Sequence, residues 1–409
     1  MRYSNFRLFA GGMLGSTFGL QMLGTGIAWE LYERTSDAMV LGYTGLARAL
    51  PVILLAIPAG VVVDRFDRRY VLAVGQLAFA VTTLMLAWAS ATHQPVWLMI
   101  ALLSLTGFAR VFAGPARATL LPSIVPRNTF ENAVTWASGI FQFSAMAGPI
   151  LAGFIIRQAE AAWPVYVCTA VGTLGFAVAP LFMHPIDGAV HNKEPISFGS
   201  MTAGFRHVWN EKTVLSTITL DLFAVLFGGA TAMLPIYAKD ILHVDAVGLG
   251  MLKAAPYFGA LIMAVVLANR PRFKRAGASL LWAVAGFGAA TIVFGLSKNL
   301  GLSIFALAIA GAVDNISVVI RHVLVQVRTP KEVRGRVSAV NTIFIESSNE
   351  IGAFESGLVA KFFGPVFSVV SGGIATLIVV ACVARFVPEL RRLGELREAE
   401  DQPTEPPKH

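Results

Sequence analysis

The chain has 409 residues, 56% of them hydrophobic and only 14% charged, with a mean hydropathy of +0.67 and a formal net charge of +8. So apolar a composition excludes an ordinary soluble domain and points to a polytopic membrane protein. The positive charge reads as membrane topology rather than as a nucleic-acid surface, because Lys and Arg gather in particular loops.

A helix needs about 20 apolar residues to cross the hydrocarbon. Twelve such runs are predicted, near 6–31, 41–63, 70–92, 96–115, 130–156, 163–184, 213–236, 247–268, 277–297, 300–322, 334–361 and 365–387. The alternation of a β-barrel is absent, so the expected fold class is an all-α membrane protein. Loops after even-numbered runs hold Arg65, Arg68 and Arg69; Arg117 and Arg127; Arg270, Arg272, Lys274 and Arg275; Arg328, Lys331, Arg334 and Arg336. The opposite loops hold only Arg34, Arg157, Lys239, Lys298 and Lys361. The positive-inside rule then places both termini in the cytoplasm. Met1 to Arg7 lacks the pattern of a cleaved signal peptide, and the first run is long enough to remain as a span. Cys168 and Cys382 lie inside spans six and twelve without metal spacing and are expected to pack.

The chain repeats itself once at an offset of about 204 residues. Gly107 falls on Gly311, Arg117 on Arg321, Pro126 on Pro330, Ser144 on Ser348, Gly148 on Gly352 and Gly153 on Gly357. Nearer the start the offset is about 205, with Gly45 on Gly250, Arg48 on Lys253 and Pro51 on Pro256. Two similar six-helix halves are the plan of a transporter whose substrate path lies between them. The expected organisation is an N-terminal bundle over 1–184, a cytoplasmic linker over 185–212, a C-terminal bundle over 213–387 and a cytoplasmic tail over 388–409. Met201 to Trp209 is predicted as a surface helix, and Leu390–Leu396 as a short helix before the tail. No Gly-x-x-x-x-Gly-Lys-Ser/Thr loop occurs, no His/Cys cluster suggests a metal, and no soluble segment could hold a catalytic pocket. The reading is therefore of a non-enzyme without cofactor, driven by an ion or substrate gradient.

Between spans two and three stands Gly60-Val-Val-Val-Asp64-Arg65-Phe-Asp67-Arg68-Arg69. This resembles the loop signature of the major facilitator superfamily, with Asp67 where that family usually has glycine. The resemblance implies twelve transmembrane helices in two pseudo-symmetric six-helix bundles that work by alternating access. It also implies that Gly60 allows close helix contact, that Asp64 caps or pairs at a helix end, and that Arg65, Arg68 and Arg69 latch the cytoplasmic side. The second copy, at Arg270–Arg275, keeps basic charge and loses the aspartate.

Arg110-Val-Phe-Ala-Gly114 in span four resembles the Arg-x-x-x-Gly element of proton-coupled members. A guanidinium inside a span normally faces a partner or water. The repeat matches Arg110 to Asp314 in span ten, so the two either pair across the cavity or belong to separate networks. Span five holds Ser144-Ala-Met-Ala-Gly148-Pro149-Ile-Leu-Ala152-Gly153, similar to the glycine-rich signature of the antiporter subgroups, with Ser144 and Ala152 replacing glycines. Small residues there permit close helix packing.

Span eleven carries Glu346 and Glu350, four apart on one helix face, and then Glu355. Two acids in low dielectric cannot both ionise easily, which is what proton coupling needs. Asp221 in span seven is a second candidate proton site, and Arg48 and Lys253 are further charges within spans.

The resemblance is to proton antiporters that export drugs, macrolides or enterobactin. It implies a monomeric secondary transporter of a bacterial inner membrane, exchanging a lipophilic small molecule or siderophore for protons, with membrane lipid around it and no nucleic acid. A proton-coupled importer of a small metabolite and a lysophospholipid flippase are the alternatives on the same fold. The antiporter-type span five favours export.

Overall fold

The computed structural model describes residues 4–184, 206, 208–209, 211–227, 230–270, 273–329 and 334–394. The predicted surface helix at Met201 to Trp209 falls mostly outside the described residues, as do the tail and the side chains of Asp64 and Glu346.

The helices are α1 (Ser4–Thr35), α2 (Ala38–Arg65), α3 (Arg68–Ala91), α4 (Val96–Ile124), α5 (Phe130–Ala159) and α6 (Trp163–Val178). In the second half, α7 is described in two pieces, Lys212–Phe227 and Ala230–Ile236, followed by a π-turn at Tyr237–Ile241. Then come α8 (Ala246–Ala268), α9 (Ala276–Leu296), α10 (Leu300–Arg328), α11 (Arg334–Phe363), α12 (Pro365–Phe386) and the short α13 (Pro388–Arg391). Ten of these are long and apolar enough to cross a membrane by composition alone. The remaining two long helices are α1, diluted by glycine and hydroxyl residues, and α11, which carries three glutamates. Together they make the twelve transmembrane helices expected from the sequence.

Within each half the described connections are short, and several spans begin on a side-chain cap. Asp37 accepts from the Met39 amide at 2.9 Å, Asp67 from Arg69 at 2.9 Å, and Asp245 from Val247 and Gly248 at 3.1 Å each. Helix ends at the membrane surface thus satisfy amides that hydrocarbon would leave orphaned.

The repeat is visible in the packing. In the first half α1 packs on α5 and α6, α3 on α4 and α6, and α2 on α4. Adding six to each label gives the second half: α7 on α11 and α12, α9 on α10 and α12, and α8 on α10.

Two further packings, α2 on α11 and α5 on α8, join the halves. Small residues permit both. A β-carbon at Gly45 would stand 2.7 Å from the Glu350 carbonyl oxygen, and one at Gly357 would stand 2.9 Å from the Cα of Gly42. A β-carbon at Gly153 would run into the Ala246 carbonyl, and one at Gly250 into the Pro149 carbonyl. Toward the loops at 36–37, 160–162, 242–245 and 364, the halves are also tied by Lys361–Asp37 at 3.5 Å, by Arg157–Asp245 at 3.5 Å, and by the Tyr32 hydroxyl donating to Asp240. We call this the closed face. At the opposite face, which bears Arg65, Arg68, Arg69 and Arg275, no polar link joins the halves among the described residues.

Candidate functional site

Between the halves lie two adjoining cavities of about 320 and 420 Å³, sharing Thr231, Pro256, Tyr257, Asn349 and Ala353 as walls. Both halves contribute to each lining, which suits a small-molecule path.

The smaller of the two is bounded by a pair of cross-half contacts. Gly45 lets α2 approach the backbone of α11 at Glu350, and one turn further on Arg48 Nη2 stands 3.4 Å from Glu350 Oε2. Those side chains keep 33% and 19% of their exposure, so the pair is open to the cavity rather than sealed. Lys253, matched to Arg48 in the repeat, donates from Nζ to the Gly24 carbonyl at 2.6 Å. On the wall of this cavity each half therefore sends one cation across to the other.

The larger cavity contains Asp221 and Asp314. Asp221 on α7 forms an ion pair with Arg321 on α10, and both side chains are nearly buried. Arg321 also donates from Nε to the Ser317 carbonyl at 3.4 Å. Asp314 has no ion-pair partner among the described residues.

A third cavity, of about 190 Å³, lies inside the first half. It is lined by Arg110 and Arg117 together with Ser16, Thr17 and Gln76. Arg110 and Asp314 thus line different cavities and form no ion pair with each other. Of the two arrangements the sequence left open, the geometry is that of separate networks.

The loop between α2 and α3 is organised within the first half. Asp67 caps α3 and meets Arg69 Nη2 at 2.7 Å. Arg69 Nη1 also donates to the Met183 carbonyl at 2.8 Å, and Arg68 to the Thr119 carbonyl at 3.4 Å. The hydrogen bonds from Arg69 hold the Asp67 carboxyl below the ordinary aspartate range. Gly60 is buried and Arg65 is exposed. None of these described contacts reaches the second half.

The two glycines in the α5 motif serve different partners. Gly148 backs onto α1 at Phe18 and Gln21, whereas Gly153 backs onto the start of α8. Pro149 lines the 320 Å³ cavity, and Ser144 is buried with its hydroxyl unbonded.

Sequence reasoning missed three features. Arg321 was visible only as a repeat match, not as the partner of Asp221. Arg117 reads as a loop residue because the apolar run stops near 115, yet α4 continues through Pro115 and Pro122 to Ile124. Buried Glu30 on α1 was not singled out; it binds Arg34 at 2.5 Å, the Ser90 hydroxyl at 2.7 Å and the Tyr166 hydroxyl at 2.6 Å.

The comparisons with known proteins agree with this architecture. Curated relatives include the enterobactin exporters EntS of Citrobacter koseri and Shigella boydii, each 24% identical over 93% of this chain and 91% of theirs. Similar solved structures include an inward-facing, occupied bacterial homologue of the human lysosomal transporter Spinster, with a TM-score of 0.74 at 14% identity over 96% of this chain and 99% of that one. The D-xylose–proton symporter matches at a TM-score of 0.72 and 14% identity, over 95% of this chain and 98% of that one. The Major Facilitator Superfamily model matches residues 9–353. With two six-helix halves packed alike around a shared cavity, and that match over most of its length, the chain belongs to the major facilitator superfamily and is a multi-pass membrane transporter, not an enzyme.

Proposed function

We propose that this protein is a proton-coupled exporter of a lipophilic small molecule, drug-like or siderophore-like, in a bacterial inner membrane. The observation that carries the reading is the Arg48–Glu350 pair, which bridges the halves on the wall of the central cavity. The positive-inside rule puts the basic face in the cytoplasm, so the closed face is the outer one and the cavity is set for loading from inside.

In this reading the ionised pair holds the outer seam shut while the cavity is empty. A substrate seated against Arg48 and Glu350 competes for the bridge and offsets the cost of parting α2 from α11. After release outside, a proton on Glu350 cancels the charge that would otherwise remain unpaired, and its loss to the cytoplasm re-forms the bridge. Empty, deprotonated protein stays locked, which prevents a proton leak. Asp314 and Asp221 line the adjoining cavity and offer further proton positions; Glu346 is kept as a candidate on sequence grounds.

The direction of transport is supported by the α5 motif and by the exporters among the relatives. The test is proteoliposomes with an imposed pH gradient, screened against dyes, siderophores, sugars and lysolipids. Proton-driven accumulation of a lipophilic compound, lost in Glu350→Gln, supports the reading; sugar uptake in symport with protons overturns it.

A further inference from the structure

Arg117 and Arg321 hold matched places in the two halves, on α4 and α10, but their surroundings differ in charge. Tyr32 and Tyr237, both buried, fix the offset between α1 and α7 at about 205 residues. Asp221, the partner of Arg321, therefore falls on Ser16, or on Thr17 at an offset of about 204. The second half contains a neutral ion pair where the first half has an arginine beside hydroxyls.

The cavity around Arg117 is built of donors. Its described lining includes Arg110, Arg117, Ser16, Thr17 and Gln76, and none of these lining residues is acidic. The Ser16 hydroxyl donates to Gln76 Oε1 at 2.9 Å, which leaves the Gln76 amide N–H groups as donors. The Thr17 hydroxyl is buried with no hydrogen-bond partner. Among the described residues Arg117 has neither an ion-pair nor a hydrogen-bond partner. A cation in a span needs a counter-charge or water, and a guanidinium fork suits a planar or tetrahedral oxyanion. Phe141 lines both this cavity and the 420 Å³ central one, so the two adjoin.

We propose that this first-half cavity is an anion subsite. It takes the carboxylate, phosphate or sulfonate of an amphiphilic substrate whose apolar body lies past Phe141 in the central cavity. The substrate's anionic group plays toward Arg117 the part that Asp221 plays toward Arg321. This rests on the proposed transport of a small molecule and names its chemistry.

The test uses the full-length protein in nanodiscs of zwitterionic phosphatidylcholine, with the fluorescent pair 1-pyrenebutyrate and 1-pyrenebutyramide. These share an apolar body and differ in charge. Wild type should bind the carboxylate at least about tenfold more tightly than the amide, and Arg117→Gln should bring the two to parity. Ser16→Asp, which supplies the missing acid from the protein itself, should also abolish the preference, whereas neutral Ser16→Asn should keep it. Thermal unfolding checks that each variant is folded; if Arg117→Gln is not, the Ser16 pair decides. No preference in wild type, including no binding of either probe, overturns the proposal, as does a preference that survives Ser16→Asp. Binding is read without any gradient, so an anion preference without proton-driven flux removes the export reading and leaves the subsite standing.

Discussion

Arg48 on α2 stands 3.4 Å from Glu350 on α11, across the boundary between the two halves and one helical turn from the glycine that lets those helices meet. A partly exposed pair of this kind contributes about 1 kcal/mol, roughly a fivefold change in a two-state ratio. Glu350→Gln should therefore widen the distribution of distances between spin labels on the closed-face ends of α2 and α11. Exchanging the charges, Arg48→Glu with Glu350→Arg, should narrow it again.

The Asp221–Arg321 pair is more deeply buried, and its loss should be felt as stability. Asp221→Asn leaves a buried guanidinium without its counter-charge, a change that costs roughly 3–5 kcal/mol. Adding Arg321→Gln should recover a large part of that. Thermal unfolding of the single and double variants in detergent gives the coupling, and strictly additive losses would show that the pair does not act as a unit.

Asp67 caps α3 and bonds Arg69. Removing the cap with Asp67→Ala should cost about 1 kcal/mol. The folded carboxyl titrates below its unfolded value, so this stabilisation is fully present above the unfolded value of about 4 and is lost as pH falls through the folded one. The gap between wild type and variant in thermal unfolding should be constant from near neutral pH down to about pH 5 and shrink in stronger acid.

Gly153 and Gly114 form a contrast. A β-carbon at Gly153 collides with the Ala246 carbonyl across the seam, while one at Gly114 meets nothing within 4 Å. Gly153→Ala should open the seam between α5 and α8 and lower transport. Gly114→Ala should be neutral or stabilising by up to about 1 kcal/mol, from helix propensity alone. Label distances across the closed-face seam and flux in vesicles would distinguish the two.

The fold was legible in the sequence because hydrocarbon enforces it. Runs of about 20 apolar residues have no alternative to helix, and the matched glycines and prolines marked the duplication that the packing repeats. Charge partnerships were harder to read. Arg110 and Asp314 are symmetry mates, but symmetry gives equivalent places in two bundles, not contact, and the two line separate cavities. Asp221 stood out as an acid in a span, yet its partner lies about 100 residues away on another helix, which no local pattern reveals. Arg117 was hidden because Pro115 and polar residues end the apolar run, whereas prolines are tolerated in membrane helices. Glu30 sits near a span end, where an acid is usually solvated, and it is buried here with the Ser90 hydroxyl of α3 and the Tyr166 hydroxyl of α6 bonded to it.

Proton coupling through the bridged seam is most directly tested in proteoliposomes containing the purified protein, loaded with a lipophilic fluorescent substrate and exposed to a pH jump. We expect wild type to move substrate against its gradient as protons flow the other way. Glu350→Gln should equilibrate substrate without responding to the pH jump. Substrate movement indifferent to the pH gradient in wild type, or full proton-driven flux in Glu350→Gln, would contradict the account.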